Sequence, residues 1–313
     1  MAKAKPTILT ASSLATLTSC ARKFYLSYEV GLRKKEPADA LKFGTAFHAG
    51  LEARCKGIER GDAVTMAIAT AGEAEFDEVT AEKINSLLIG YYSKWGDGAN
   101  DPMVADMTPE VEFCFRLPFL RGFALAGKID GVVTLRDGRR GLIEHKTTSE
   151  DISWDSDYWQ HINRDQITLY GIAMEKMGLP PVEVYVYDVI RKPTIRQTQK
   201  ETPVDYGQRL TKDAVEVRPD YYYARREIPL LGCDREGLAR RLLAAGKLIK
   251  HYRKEAAQMD LSGVWEGEAW LKCGSTMTCK ACPYRGMCDS SEIPEGFEKG
   301  RAHEELEIVK KFK

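Results

Sequence analysis

Two short stretches bring together residues that could do chemistry. Gly127-Lys128-Ile129-Asp130-Gly131-Val132-Val133 is apolar except at Lys128 and Asp130, and Ile143-Glu144-His145-Lys146 follows it. The midpoint between Asp130 and Glu144 falls on Asp137-Gly138, a hairpin turn pair. A tight hairpin centred there sets Asp130 opposite Glu144, and strand alternation puts Lys146 on the same face as Glu144. Two opposed carboxylates are costly to bury unless a cation or a proton stands between them. Oxygen ligands of this kind suit Mg²⁺ or Mn²⁺. A lysine beside such an ion can orient water or stabilise developing negative charge. Taken alone, the same pattern also describes an ordinary surface hairpin with a Lys–Glu pair.

A second cluster is built of thiols. Cys273-x5-Cys279-x2-Cys282-x5-Cys288 puts four cysteines into sixteen residues, a spacing that suits metal. A local zinc site would use all four, although zinc motifs more often carry two C-x2-4-C pairs and this one has a single pair. Cys20 offers a different fourth ligand. Cys55, Cys114 and Cys233 are scattered and read as small core hydrophobes.

Three further residues read, by spacing alone, as a structural histidine and a polar helix face. His48 stands at helical spacing from Thr45 and Glu52, and Gln166 and Tyr170 are four apart on one helix face. In order and interval, His48, Glu112, Asp130, Glu144-x-Lys146 and Gln166-x3-Tyr170 resemble the RecB-type branch of the PD-(D/E)xK nuclease superfamily. Ser13-Leu14 with Cys20-x-Arg22-Lys23-Phe24-Tyr25-Leu26, and Trp159 with Gln166-Ile167-x-Leu169-Tyr170-Gly171, resemble it too, so the likeness spans roughly residues 12–290. The resemblance implies that Asp130, Glu144 and Lys146 are catalytic. His48, Asp130, Glu144 and the backbone carbonyl of His145 would hold the divalent metal. Lys146 would position or activate the attacking water, and Gln166 and Tyr170 would contact DNA or brace the site. Glu112 matches loosely as a supporting residue, with Glu110 its rival two residues earlier.

Cys279-x2-Cys282-x5-Cys288 also resembles the cysteine pattern of [4Fe–4S] members of that branch, the CRISPR-adaptation and AddB-type nucleases. Cys20 then supplies the N-terminal ligand, Cys273 is a surplus thiol that could replace Cys20 or Cys279, and zinc is the alternative metal.

Elements must exist to position these groups. Ser12 or Ser13 can cap a helix carrying Leu14, Leu17, Cys20, Phe24 and Tyr28. A second helix starts near Gly44-Thr45 with Phe43, Phe47 and Leu51 on one side. Residues 62–95 read as two acidic helices ending in the breaker-rich stretch 96–102. The period then changes to two. Strands are expected at 111–117, 123–135, 141–147 and 182–189, with helices at 160–177 and 234–259. The fold class is therefore α/β, a mixed central sheet flanked by helices, which with the resemblance implies a restriction-endonuclease-like core. The expected organisation is a flexible lead (1–11), a nuclease domain (12–263), a cysteine-rich subdomain packed on the N-terminal helix (264–290) and a charged tail (291–313).

Composition bounds the partners. Of 313 residues, 46 are Lys or Arg and 46 Asp or Glu, so a nucleic-acid surface must be a local patch. Residues 1–60 carry 11 basic against 5 acidic side chains, and residues 61–120 carry 3 against 11. Arg22, Lys23, Arg33, Lys34 and Lys35 are the candidate phosphate-binding patch, and Trp154, Tyr158 and Trp159 are aromatics available near the site. No apolar run spans a membrane, no leader pattern opens the chain, and no Gly-x4-Gly-Lys-[Ser/Thr] loop for ATP occurs. The expectation is a cytoplasmic protein of a bacterial or phage-infected cell: a Mg²⁺- or Mn²⁺-dependent DNA exonuclease acting on ends or single strands in replication, recombination or repair, with any helicase a separate partner. The alternative is a DNA-binding or assembly subunit of a recombination or CRISPR-adaptation complex with little nuclease activity of its own.

Overall fold

The computed structural model describes residues 5–36, 39–72, 77–96, 100–230, 234–258, 268–288 and 293–311. A short strand β1 (Thr7–Leu9) leads into helix α1 (Ala11–Ser19). The helix is capped by Thr10, whose hydroxyl accepts the Ser13 N–H at 3.1 Å while Ser13 Oγ accepts the Thr10 N–H at 2.8 Å. The cap thus lies before the serines that the sequence offered. The backbone straightens at Cys20, which splits the apolar run and caps α2 (Ala21–Phe24) with its sulfur. After β2 (Leu32–Lys34) come three longer helices, α3 (Asp39–Cys55), α4 (Arg60–Gly72) and α5 (Glu78–Trp95). Phe43, Phe47 and Leu51 of α3 are buried together as their spacing implied, in a helix that begins several residues earlier than expected.

The sheet follows. β3 (Val104–Arg116) and β4 (Phe123–Leu135) run antiparallel along almost their whole lengths. β5 (Arg140–Thr148) returns across the Asp137-Gly138 turn, where Gly138 adopts φ +89°. α6 (Arg164–Lys176) crosses to β6 (Val184–Arg191), which pairs parallel with β5. α7 (Pro203–Lys212) and α8 (Pro219–Tyr222) precede β7 (Tyr223–Pro229) and the long α9 (Arg235–Gln258). The chain closes with α10 (Thr276–Lys280), β8 (Phe297–Lys299) and α11 (Glu307–Lys311).

The strand order is β1-β4-β5-β6-β7 with β3 on the other edge of β4, a mixed six-stranded sheet. One face is covered by α1, α6 and α9, where Leu142, Tyr185, Val189 and Ile228 meet Ile167, Leu238, Leu242 and Ile249. The other carries α3, α5 and α7, packed through Phe47, Leu87, Tyr91, Tyr206 and Leu210 on Ile190 and Tyr223. β6 is buried from Val184 to Ile190, as a central strand covered on both faces must be. The α/β class with a mixed sheet and flanking helices is therefore the observed one.

One expectation for the chain ends does not hold. Residues 7–9 are not a loose lead. They pair parallel with Phe123–Leu125, because that end of β4 would otherwise present an open edge and Thr-Ile-Leu is a good strand triplet. The charged tail also folds back, with β8 antiparallel to β2. Of the scattered cysteines, Cys55 is exposed rather than in the core, Cys114 is half-buried, and Cys233 lies outside the described residues. Among the described residues no helix is long and apolar enough to cross a membrane.

Phe113 is fully buried where β3 meets Gly127 and Tyr170. Phe113→Ala is expected to cost about 3–5 kcal/mol in urea denaturation, the range for a buried aromatic replaced by a cavity. A loss below about 1 kcal/mol would show that this seam is not packed as described.

Candidate active site

The site lies at a gap in an edge. β4 pairs with β1 through residues 123–125 and with β5 through residues 131–134, both on the edge opposite β3. Residues 126–130 have no strand partner on that edge, and side chains fill the place of the ladder. Tyr170 of α6 donates its hydroxyl to the Lys128 carbonyl at 2.9 Å. Asp130 Oδ2 accepts the His145 N–H at 2.8 Å. Gly131–Ile143 is the last regular pair of β4 and β5, so Asp130 and Glu144 stand one step beyond it, opposite each other as the hairpin arithmetic required.

Glu144 is 3% exposed. Its Oε1 accepts Gln166 Nε2 at 2.7 Å and also meets the Lys146 ammonium. Gln166 Nε2 reaches the Tyr170 hydroxyl at 3.1 Å, so one helix face links Glu144 to the β4 backbone. Glu144 Oε2 is buried and finds no well-formed hydrogen bond, and neither does the neighbouring Tyr185 hydroxyl. Burial, with Asp130 adding to it, raises the Glu144 carboxyl above its usual range against the pull of Lys146 and Gln166. Burial opposes charge on Lys146 too, but Glu144 and Asp130 together outweigh it, and its pKa stands above the ordinary lysine value. Lys146 is therefore a cation at neutral pH. His48 Nδ1 lies 3.7 Å from Asp130 Oδ2. Burial lowers the His48 pKa despite Asp130, so the imidazole is neutral and able to ligate.

Behind this cluster is a buried ionic network absent from the sequence reading. His145 Nδ1 meets Asp188 Oδ2 at 2.8 Å, and Arg225 Nε lies 3.1 Å from Asp188 Oδ1. Arg225 continues to Asp101 at 2.7 Å and to the Tyr91 hydroxyl at 2.8 Å, while Tyr91 also bonds Asp188. Burial acts against the Asp188 charge, but Arg225, His145 and Tyr91 overcome it and hold the carboxyl at about 2. The signal was available: Asp188 is the one charged residue in the run Val184–Ile190.

His48, Asp130, Glu144, His145, Lys146, Gln166 and Tyr170 are thus brought together. Glu112 is not part of this cluster. Its carboxylate accepts the N–H groups of Glu307 and Ile308 at 3.2 and 2.7 Å and caps α11, a partner far away in sequence. The Glu110 side chain lies outside the described residues. The expected basic patch is also partly spent. Arg22 is 1% exposed and paired with Glu268, and Arg33 is held by Glu298 and Glu304. Trp159 is buried, whereas Trp154 is 77% exposed.

Cys20, Cys273, Cys279, Cys282 and Cys288 line one cavity of about 200 Å³, together with Lys23, Lys272 and Arg285. Cys20 projects from the break between α1 and α2, and the other four come from the C-terminal segment. Among the described residues, no three His, Cys, Asp or Glu side chains stand as a ready-made metal cage.

Asp130 and Glu144-x-Lys146 are thus carried by adjacent strands of a mixed sheet and braced by α6. The family model of the PD-(D/E)XK nuclease superfamily matches residues 8–289, and the chain belongs to that superfamily. No curated protein matches. Among solved structures, one titled "Crystal structure of SSO0001" is similar at 12% identity over 93% of this chain and 89% of that one, with a TM-score of 0.34.

Asp188 yields a pH prediction. A carboxyl held at about 2 against an ordinary 3.8 adds stability that is complete above pH 4 and is lost as pH falls toward 2. Asp188→Asn should lose about 3–5 kcal/mol near neutrality, because Arg225 is left buried without its counter-charge, and should lack that acid limb. Urea unfolding across pH checks both, and wild-type stability at pH 7 in the variant would contradict the network.

Proposed function

We propose that the chain is a Mg²⁺- or Mn²⁺-dependent deoxyribonuclease of the RecB-like branch, acting as an exonuclease on DNA ends or single strands. The observation that carries this is the buried Glu144, its Oε2 without a well-formed hydrogen bond, set opposite Asp130 with the Lys146 cation on its other oxygen. Such a carboxylate pair is stable as a charged pair only with a cation beside it. Asp130, Glu144, the His145 carbonyl and the neutral His48 would hold the ion. Hard oxygen donors with a single imidazole suit Mg²⁺ or Mn²⁺. When bound, the ion lowers the pKa of water and offsets phosphate charge.

The chain's own residues set the rest. Lys146, whose ammonium meets Glu144 Oε1, would position or activate the attacking water and stabilise charge on the phosphoryl oxygens. Gln166 holds Glu144 in place, and Tyr170 keeps α6 on β4. Asp130 is fixed by the His145 N–H, so its free oxygen keeps one direction.

Lys146→Ala should keep the fold and DNA binding and lose about 10²–10⁴-fold in hydrolysis of end-labelled DNA, the scale of positioned acid–base or electrostatic assistance. EDTA should abolish hydrolysis reversibly. Asp130→Asn, close in shape but lacking the charge, should bind Mn²⁺ much more weakly by calorimetry. Near wild-type turnover in Lys146→Ala, or unchanged Mn²⁺ binding in Asp130→Asn, would remove the assignment.

The thiol-lined cavity supports a second metal of structural kind. We infer a [4Fe–4S] cluster on Cys20, Cys279, Cys282 and Cys288, with Cys273 surplus. Thiolates from both ends of the chain share the cavity, and the Cys279 thiol is pushed up by desolvation and then by Cys273, Cys20 and Cys282 around it. Protein purified without oxygen should be brown, and Cys20→Ser or Cys282→Ser should lose iron and melt lower, whereas Cys273→Ser keeps its iron. A colourless preparation with one tight zinc, indifferent to Cys20→Ser, would assign the C-terminal cysteines to a local zinc site instead.

A further inference from the structure

Trp154 is the most exposed large hydrophobic side chain of the described residues, 77% accessible. It is not loose. The Arg226 guanidinium lies 3.9 Å from the centre of its ring and 4.0 Å from that of Trp159, so the cation is layered between two indoles. Trp159 anchors the stack from below. It is buried, and its indole N–H donates to the Ser153 carbonyl at 2.9 Å. Arg226 also donates to the Trp154 carbonyl, which ties the loop between β5 and α6 to β7. One face of Trp154 therefore rests on Arg226, and the outer surface of the indole is left to solvent.

The register places this stack. Glu144 pairs with Tyr187, and Tyr187 pairs with Arg226, so the three form one row across β5, β6 and β7 on a single sheet face. With strands about 4.8 Å apart, Arg226 sits roughly 10 Å from Glu144 along that row. Trp159 lies edge-on to Tyr187, the middle residue of that row, with ring centres 6.3 Å apart, and Tyr158 lies edge-on to Trp159 at 5.4 Å. Through Arg226, Trp154 is thus tied to the sheet face that carries Glu144 and Lys146, about two strands away from them.

From this we infer that the Trp154–Arg226–Trp159 stack is a platform for one unpaired nucleobase of a strand whose phosphate is held at Glu144 and Lys146. The inference rests on the nuclease reading for its choice of ligand. An indole already polarised and held by a guanidinium offers a rigid π-face, and every base can stack on one regardless of sequence. Arg226 adds positive charge beside the path of the phosphodiester backbone. A base inside a duplex has both faces covered by its neighbours, so only an unpaired base or the end of a duplex can lie on Trp154. The platform therefore selects unpaired bases and open ends over the interior of a duplex.

The test is fluorescence anisotropy with the full chain in EDTA, where nothing is cut. The probes are a labelled oligothymidylate, an abasic chain of the same length and a duplex whose two ends are capped by streptavidin. The proteins are wild type, Trp154→Ala and Trp154→Phe. Trp154→Ala should bind oligothymidylate about ten-fold or more weakly, the effect of losing one base–aromatic stack, and Trp154→Phe should keep most of the affinity. The abasic chain and the duplex should bind equally to all three proteins. The platform is overturned if Trp154→Ala binds oligothymidylate like wild type, if the abasic chain or duplex weakens in parallel, or if wild type does not bind oligothymidylate. Digestion of the same DNA by wild type in Mn²⁺ reads the nuclease assignment separately. Binding through Trp154 without cutting refutes that assignment alone, and cutting with Trp154-independent binding refutes the platform alone.

Discussion

A fully buried carboxylate governs this architecture. Asp188 is 0% exposed in the middle of β6, and an isolated charge there would cost several kcal/mol or more. It is tolerable only because three partners converge on it: Arg225 from β7, His145 from β5 and Tyr91 from α5. Satisfying one charge thereby sets the relation of three strands and a helix. The consequence for chemistry is indirect and strict. With the His145 ring held on one face of β5, alternation sends Glu144 and Lys146 to the other, toward α6. The same residue's N–H fixes Asp130. His145 thus joins a structural network on one side of the sheet to the carboxylate pair on the other.

The gap along β4 is the second half of that design. A continuous β4–β5 ladder would fill residues 126–130 with backbone hydrogen bonds and leave no room for side-chain chemistry. Here the strands part after Gly131 and Ile143, and the exposed groups are met individually by Tyr170 and Asp130. A Cβ at position 131 would stand 2.4 Å from Met107 Cε and 2.9 Å from Ile143 Cγ2, so the parting point also needs glycine for close approach. The Glu144 carboxylate then lies in low dielectric beside Lys146, where its attraction for any cation is stronger than in water.

The sequence made the site easier to read than its surroundings, for physical reasons. A tight hairpin fixes register by symmetry about its turn, so Asp137-Gly138 was enough to place Asp130 against Glu144. Long periodic elements such as Phe123–Leu135 and Arg235–Gln258 were also legible from their patterns. Elements whose stability is borrowed from partners were not. Thr7–Leu9 has only three residues and exists because β4 offers an edge. Tyr223-Ala-Arg-Arg-Glu-Ile-Pro lacks a clean period because Arg225 turns to the buried Asp188 while Arg226, on the opposite face, turns to the two indoles. Charge counting in the N-terminal arm misled for the same reason, since Arg22 is buried on Glu268. Glu112 matched a pattern, yet its partner is almost two hundred residues away. Local sequence carries register and period but not the identity of a distant counter-ion.

The joining of the two ends of the chain can be weighed. Closing a loop of this length costs roughly 5 kcal/mol of chain entropy by the logarithmic estimate. Trp270, 2% exposed, stacks on Phe24 at 5.8 Å, Tyr25 at 5.4 Å and Tyr252 at 4.8 Å. Burying a side chain of that size contributes about 4–6 kcal/mol at the usual area coefficient, which by itself offsets the closure. Arg22–Glu268 and the Tyr284 hydroxyl on the Leu32 carbonyl at 2.7 Å add to the seam. Aromatic packing therefore helps bring Cys20 to the C-terminal thiols, and the free energy of a metal bound in that cavity would add to the same seam.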